Sequence, residues 1–167
     1  MFIQNQQITE RVVVSILVKN CISQVRVPIA SNIQCVAVRI SLRKTFTVCC
    51  IYIPPSQSFS KDDLEHIYSQ LPTPVMLVGD FNSHHTLWGN PQTTSKGNII
   101  EDFISKNSLS LMNDGSYTFL HSGNGTRTAI DLSICHPSLF LDFKWNVAED
   151  LCGSDHYPIF IERILPS

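Results

Sequence analysis

Three segments of this chain join an apolar strand pattern directly to acidic, amide or imidazole residues. In Val75–Asn82, VMLVGDFN, four apolar residues run into Gly79, Asp80 and Asn82. In Gly153–Ile161, GSDHYPIFI, Asp155 and His156 stand immediately before an apolar run that contains Pro158. In Ala129–Cys135, AIDLSIC, Asp131 sits inside an otherwise apolar strand. Polar groups held at the ends of buried strands suit a catalytic centre at the edge of a sheet. A carboxylate in an apolar strand is costly unless it has a partner, and His156 is the imidazole with matching context. An Asp that fixes a His in one tautomer and steadies the imidazolium is a general-base arrangement.

Each of these residues also has a plainer role open to it. Asp80 and Asn82 are common in the turn after a strand. Asp155 and His156 fit a capping position, for which Ser154 alone would suffice. Asp131 could brace a loop backbone. His84 and His85 are adjacent, so they point in different directions and make a poor shared metal site. Packing of their loop around Trp88 is the simpler role, with one His left to touch phosphate. His66 and His136 read as structural or exposed.

The elements that must carry these groups follow from periodicity. Residues 11–19, 33–40 and 45–53 read as strands, the last two dense in β-branched residues. Arg43 and Lys44 turn the hairpin between them, and Pro54 and Pro55 end it. Ser60 caps a helix over 61–71, with Asp63 in the place of a capping-box acid. Leu64, Ile67, Tyr68 and Leu71 recur at helical spacing along it. The strand 75–79 follows, so a strand–helix–strand unit delivers Asp80 at a carboxyl strand end, where open α/β sheets bind ligands. Residues 83–96 read as a polar loop and Gly97–Asn107 as a second helix. Strands are expected at 109–112, 117–120, 129–135, 143–148 and 157–164. A Gly- and Asn-rich hairpin loop, HSGNGTRT, fills 121–128. Hairpins mixed with a βαβ unit imply two packed sheets covered by helices.

A chain of 167 residues is expected to form a single domain with a sizeable core. With 43% hydrophobic and 16% charged residues, it is expected to fold rather than stay disordered. A net charge of −2 gives no bulk attraction to nucleic acid, so such contact must come from a local patch or a bound cation. The six cysteines contain no C-x-x-C pair, which argues against a zinc knuckle or a redox motif. Cys35, Cys49 and Cys135 lie in apolar strands and read as small buried hydrophobes of a reducing compartment. The apolar run Val12–Val18 is too short to span a bilayer. Glu10 and Lys19 flank it and no small-residue cleavage site follows, so it reads as a strand rather than a secretion signal.

Taken in order, Gly79–Asn82 (GDFN), Ile130–Asp131 (ID) and Ser154–His156 (SDH) resemble the endonuclease/exonuclease/phosphatase family. Within it, GDFNSHHTLWG (79–89), TAIDLSIC (128–135) and GSDHYPI (153–159) are most similar to the endonuclease domain of jockey-like non-LTR retrotransposons. The resemblance runs from about Val12 to Ile164. It implies a four-layered α/β sandwich, two packed mixed sheets flanked by helices, and a divalent-metal-dependent hydrolase that nicks DNA for reverse transcription. It implies Mg²⁺, with Mn²⁺ as the alternative, and a partnership with DNA and with a reverse transcriptase on the same or a related polypeptide. It places the chain inside the cell, nuclear or cytoplasmic.

Roles carried over by resemblance are general base for His156, oriented by Asp131, and metal ligand for Asp155. Asp80 resembles the acid that positions the nucleophile or handles the leaving-group proton. Asn82 resembles the amide that donates to the scissile phosphate. Tyr52 matches a phosphate-contacting tyrosine, although a core strand role fits it as well. The family hairpin at 121–128 enters a DNA groove, which marks Arg127 and Asn124, with His84, as DNA contacts; an ordinary exposed hairpin is the alternative. The family also has an Asn strand and a metal-binding Glu strand upstream. Neither is expected in residues 1–167, which makes the domain incomplete at its N-terminus, because Glu10 precedes its strand instead of ending one. Weakened Mg²⁺ binding is the expectation that follows. An inactive remnant and a phosphatase or phosphodiesterase on a non-DNA substrate are the competing functions.

Overall fold

The two β-branched runs form the centre of a sheet. In the computed structural model, which describes residues 2–4 and 14–164, they are β4 (Gln34–Ser41) and β5 (Thr45–Tyr52). Before them come β1 (Phe2–Gln4), β2 (Ser15–Leu17) and β3 (Ser23–Val27). After them come α1 (Lys61–Ser69), β6 (Val75–Asp80), α2 (Ser95–Lys106), β7 (Ser110–Leu111) and β8 (Phe119–Leu120). The chain then forms β9 (Arg127–Thr128), β10 (Asp131–Cys135), α3 (Pro137–Phe140), β11 (Phe143–Val147) and β12 (Ile159–Arg163).

One mixed sheet has the order β3-β4-β5-β6-β10-β7. The crossover through α1 lays β6 parallel to β5, as the strand–helix–strand reading requires. Side chains alternate across each strand, and here the alternation sorts two cores. Cys49, Ile51, Leu77, Leu132 and Ile134 pack on one face with Leu64 and Ile67 of α1 and Ile100, Phe103 and Ile104 of α2. On the other face Phe46, Met76 and Cys135 meet Leu139 of α3 and Trp145 of β11. Val36 and Val38 on that face meet Val14 and Ile16.

The α/β sandwich class therefore holds. Helices α1 and α2 form one layer, the six-stranded sheet the next, and the ladders β1–β2 and β11–β12 lie beyond it. Among the described residues the second sheet consists of these two separate two-stranded ladders. Other differences from the sequence reading are local. The described part of the strand expected over 11–19 is β2 alone; residues 11–13 and Glu10 lie outside the described residues. The half-polar SQVRV of β3 was not expected as a strand, and it pairs as an edge with β4. The 121–128 loop is shortened by β9, which pairs with β8. Cys35, Cys49 and Cys135 are buried, as their apolar context implies.

A nine-residue helix such as α1 is marginal alone, and burial of Leu64 and Ile67 contributes roughly 1.5–3 kcal/mol each. Its N-terminus is closed by the expected capping box. Ser60 Oγ accepts from the Asp63 N–H, and Asp63 Oδ2 accepts from the Ser60 N–H at 2.7 Å. The hydrogen bond from the Ser60 side chain, then that from its backbone, holds the Asp63 carboxyl below its ordinary value. Ser60→Ala should cost about 1 kcal/mol in urea unfolding. A depressed carboxylate stabilises above its unfolded pKa, and that contribution disappears as pH falls through the folded pKa. The mutational penalty should therefore shrink on acidification; a penalty that grows would contradict the cap.

Candidate active site

Sheet register assembles the site. Tyr52 of β5 pairs with Asp80 of β6, and Asp80 pairs with Asp131 of β10. The three share one rung, on the face opposite α1 and α2. Gly79 makes the rung possible. Its φ of +137° and the position of Ile51 O, which a Cβ there would strike, leave room only for glycine.

His156 arrives from the far end of the chain. A backbone bridge aligns it with Phe119 of β8. The Leu120 N–H donates to Asp155 O and the Tyr157 N–H to Thr118 O, each at 2.8 Å. His156 Nδ1 lies 2.9 and 3.1 Å from the two Asp131 carboxylate oxygens. The Phe119 ring stands 4.8 Å from the imidazole. The expected pair thus forms in the half-buried Asp–His geometry. The hydrogen bond to Asp131 raises the His156 pKa above its ordinary value against the opposing effect of burial.

Asp80 is more strongly perturbed. Burial first, and then the Asp131 charge, push its carboxyl up to about 6. Asn82 opposes that shift: its N–H donates to Asp80 Oδ1 at 2.9 Å and its Nδ2 to Oδ2 at 2.7 Å. Nδ2 also donates to Ile53 O at 3.0 Å. Asn82 has φ of 44°, a left-handed conformation that Asn tolerates better than most residues. Both amide protons of Asn82 therefore serve Asp80 and the β5 end. Burial and the charge of Asp80 raise the Tyr52 phenol.

Single ligand atoms of Asp80, Asp131 and His156 lie within 4.8 Å of one another. Two carboxylates and one imidazole form a donor set that fits an oxygen-preferring divalent cation. Asp155 lies outside this close group. It is exposed one residue before His156, and its charge acts on that imidazole.

The remaining sequence candidates separate. His84 and Asn124 line a pocket of about 210 Å³ with Asn82, Phe119, His121 and Ile130. Arg127 lies elsewhere. Alternation along β9 sends Thr126 and Thr128 to that pocket and Arg127 to a cleft of about 410 Å³ with Tyr117, Tyr157 and Glu149. His85 stacks on buried Trp88 at 4.9 Å, the loop-packing role expected of it. Sequence reasoning missed Asn90 and Thr118. Both are buried and both bind backbone beside Asp131. Nothing in their local sequence distinguishes Asn90 from an ordinary loop residue or Thr118 from an ordinary strand residue.

Residues 46–160 match the family described as endonuclease-reverse transcriptase. The chain is 29% identical over 137 residues to the RNA-directed DNA polymerase from mobile element jockey of Drosophila melanogaster. That alignment covers 79% of this chain and 15% of the relative. The chain is 24% identical over 112 residues to the probable RNA-directed DNA polymerase from transposon X-element of the same species, covering 66% of this chain and 12% of the relative. It therefore spans a small fraction of the curated relatives it matches. The endonuclease domain of TRAS1, a telomere-specific non-LTR retrotransposon, superposes with a TM-score of 0.85 at 21% identity, over 100% of this chain and 81% of that one.

Proposed function

Because the chain belongs to the endonuclease-reverse transcriptase family, we propose that it is a divalent-metal-dependent endonuclease domain that nicks one strand of target DNA to prime reverse transcription. The observation that carries this reading is the Asp131–His156 pair set against Asp80, the rung neighbour of Asp131, with Asn82 bonded to Asp80.

A phosphodiester is anionic and repels its nucleophile. His156, oriented through Nδ1 by Asp131, presents its other ring nitrogen to take a proton from water. Asp80, with a carboxyl near 6, is protonated often enough near neutral pH to serve the leaving oxygen. Tyr52 supplies a phenol donor for phosphoryl oxygens, and Asn82 becomes an amide donor to them when the Nδ2 proton now on Asp80 turns to the substrate. Asp155, exposed beside the pair, would hold Mg²⁺ or Mn²⁺ together with water and substrate oxygens; the ion when bound would neutralise phosphoryl charge.

Target choice falls to the β8–β9 hairpin. Its two faces carry different chemistry, a mostly apolar pocket beside Asn82 and a cleft holding the Arg127 cation. A duplex seated over the hairpin meets both. Arg127→Ala should weaken DNA binding and reduce the slope of log affinity against log salt by about 1. An unchanged slope together with an unchanged cleavage pattern would remove Arg127 from the interface.

No helix among the described residues is long and apolar enough to cross a membrane. We place the activity where chromosomal DNA is reached, in the nucleus or cytoplasm, with the reverse transcriptase on the same or a related polypeptide. A substrate panel tests the function. Supercoiled plasmid should be converted to nicked circles, while inositol phosphates and phospholipids stay intact. Phosphate release from an inositide would make the domain a phosphatase, and a folded chain inert on every substrate would make it an inactive remnant.

A further inference from the structure

We infer that Asn90 is a positioning residue for the Asp131–His156 pair, an inference that rests on the hydrolytic reading of that pair. Asn90 is 3% exposed and lies 39 residues from its partner. Its Nδ2 donates to Ala129 O at 2.7 Å, and its Oδ1 accepts from the Ala129 N–H at 3.0 Å. A side chain thus pairs with both backbone groups of one residue, as a neighbouring strand would. Ala129 is fully buried, so no water replaces those bonds. Two residues on, the carboxylate of Asp131 meets His156.

The segment has other anchors: Asp131 pairs with Asp80 in the ladder, and Asn113 Nδ2 donates to Asp131 O at 2.9 Å. The Ile130 and Asp131 N–H groups both donate to Thr118 Oγ1, and Ile130 O accepts from the Phe81 N–H. Asn90 is the anchor that reaches from the loop after Asp80 and Asn82 to the approach of Asp131. That loop is itself fixed. Trp88 is fully buried, and Gly89 turns at φ +93° against Gly115. The Asn90 N–H donates to His85 O at 3.2 Å. Asn90 touches none of the reacting groups, so its effect must pass through the backbone to Asp131. Small displacements of a catalytic group have large consequences for rate.

The test has two readouts on the whole chain. In single-turnover nicking with enzyme in saturating excess over plasmid, Asn90→Ala should slow the reaction roughly 10–100-fold with the half-saturating enzyme concentration unchanged. In an Asp131→Asn background the same substitution should have almost no further effect, because coupled residues are non-additive. Independently of activity, two-bond ¹⁵N–¹H spectra of metal-free protein report the tautomer of neutral His156. The wild type should show the Nδ1–H form held by Asp131, and Asn90→Ala should lose that preference while near-UV circular dichroism stays native. If Asn90→Ala does not fold, Asn90→Asp, which keeps an acceptor for the Ala129 N–H, is read in the same way. A lowered Tm with an unchanged tautomer and rate would make Asn90 a brace of the fold only and overturn the inference. Absence of nicking by the wild type would instead sink the endonuclease reading, and the tautomer would still decide the role of Asn90.

Discussion

Replacing His156 with Ala should slow DNA nicking by about 10²–10⁴-fold, the usual contribution of a positioned general base. Affinity for plasmid should change little, because the imidazole acts on water rather than on the duplex. Asp131→Asn should fall in the same range for a different reason. An amide can donate to Nδ1 and so stabilise the wrong tautomer, leaving the other ring nitrogen protonated and unable to accept. The geometry behind this is the two-oxygen approach of Asp131 to Nδ1 at 2.9 and 3.1 Å.

The same pair fixes a pH effect in metal-free protein. Asp131 raises the folded pKa of His156. The stabilisation gained by the charged pair is complete below the ordinary histidine value and is lost as pH rises through the folded pKa. Histidine NMR should place His156 above the ordinary value in the wild type and lower in Asp131→Asn. Equal values in the two proteins would mean that the contact does not persist in solution.

Asn82→Ala should cost about 10²–10³-fold in the rate of nicking, the range seen when one preorganised donor to a developing oxyanion is removed. Two effects combine here. Phosphate loses a donor, and Asp80 loses the side-chain hydrogen bond from Asn82 while keeping the one from the backbone N–H; both oppose its rise in pKa. Its carboxyl should therefore move above about 6, which NMR titration of the Asp80 carboxyl reads directly. Asn82→Asp keeps the side-chain size, removes the same amide donor and sets a like charge beside Asp80, so it should push the Asp80 carboxyl higher still. A variant with wild-type rate and an unshifted Asp80 carboxyl would show that Asn82 serves only the turn after β6.

Much of this site was readable in the residues because strand periodicity carries geometry with it. Asp131 inside an apolar run had to face a partner, and a parallel β5–α1–β6 unit had to bring Asp80 to the end of its strand. The pairing of Tyr52, Asp80 and Asp131 on one rung needed register, which depends on hairpin and crossover lengths that propensity does not encode. Asn90 and Thr118 were invisible for another reason. Their work is to satisfy buried backbone groups far away in sequence, and a polar residue in a loop or strand looks the same whether it faces water or Ala129. The division of the hairpin, with Asn124 on one side and Arg127 on the other, also required knowing where β9 begins. A shift of one residue would exchange the two faces.

Single-turnover conversion of supercoiled plasmid to nicked circles by this chain tests the account most directly, measured with Mg²⁺, without added metal, and with His156→Ala. The account predicts nicking by the wild type in Mg²⁺, loss of at least about 10²-fold in the variant, and loss when metal is withheld. Nicking that persists in His156→Ala, or a folded wild-type chain that leaves the plasmid supercoiled, would contradict it.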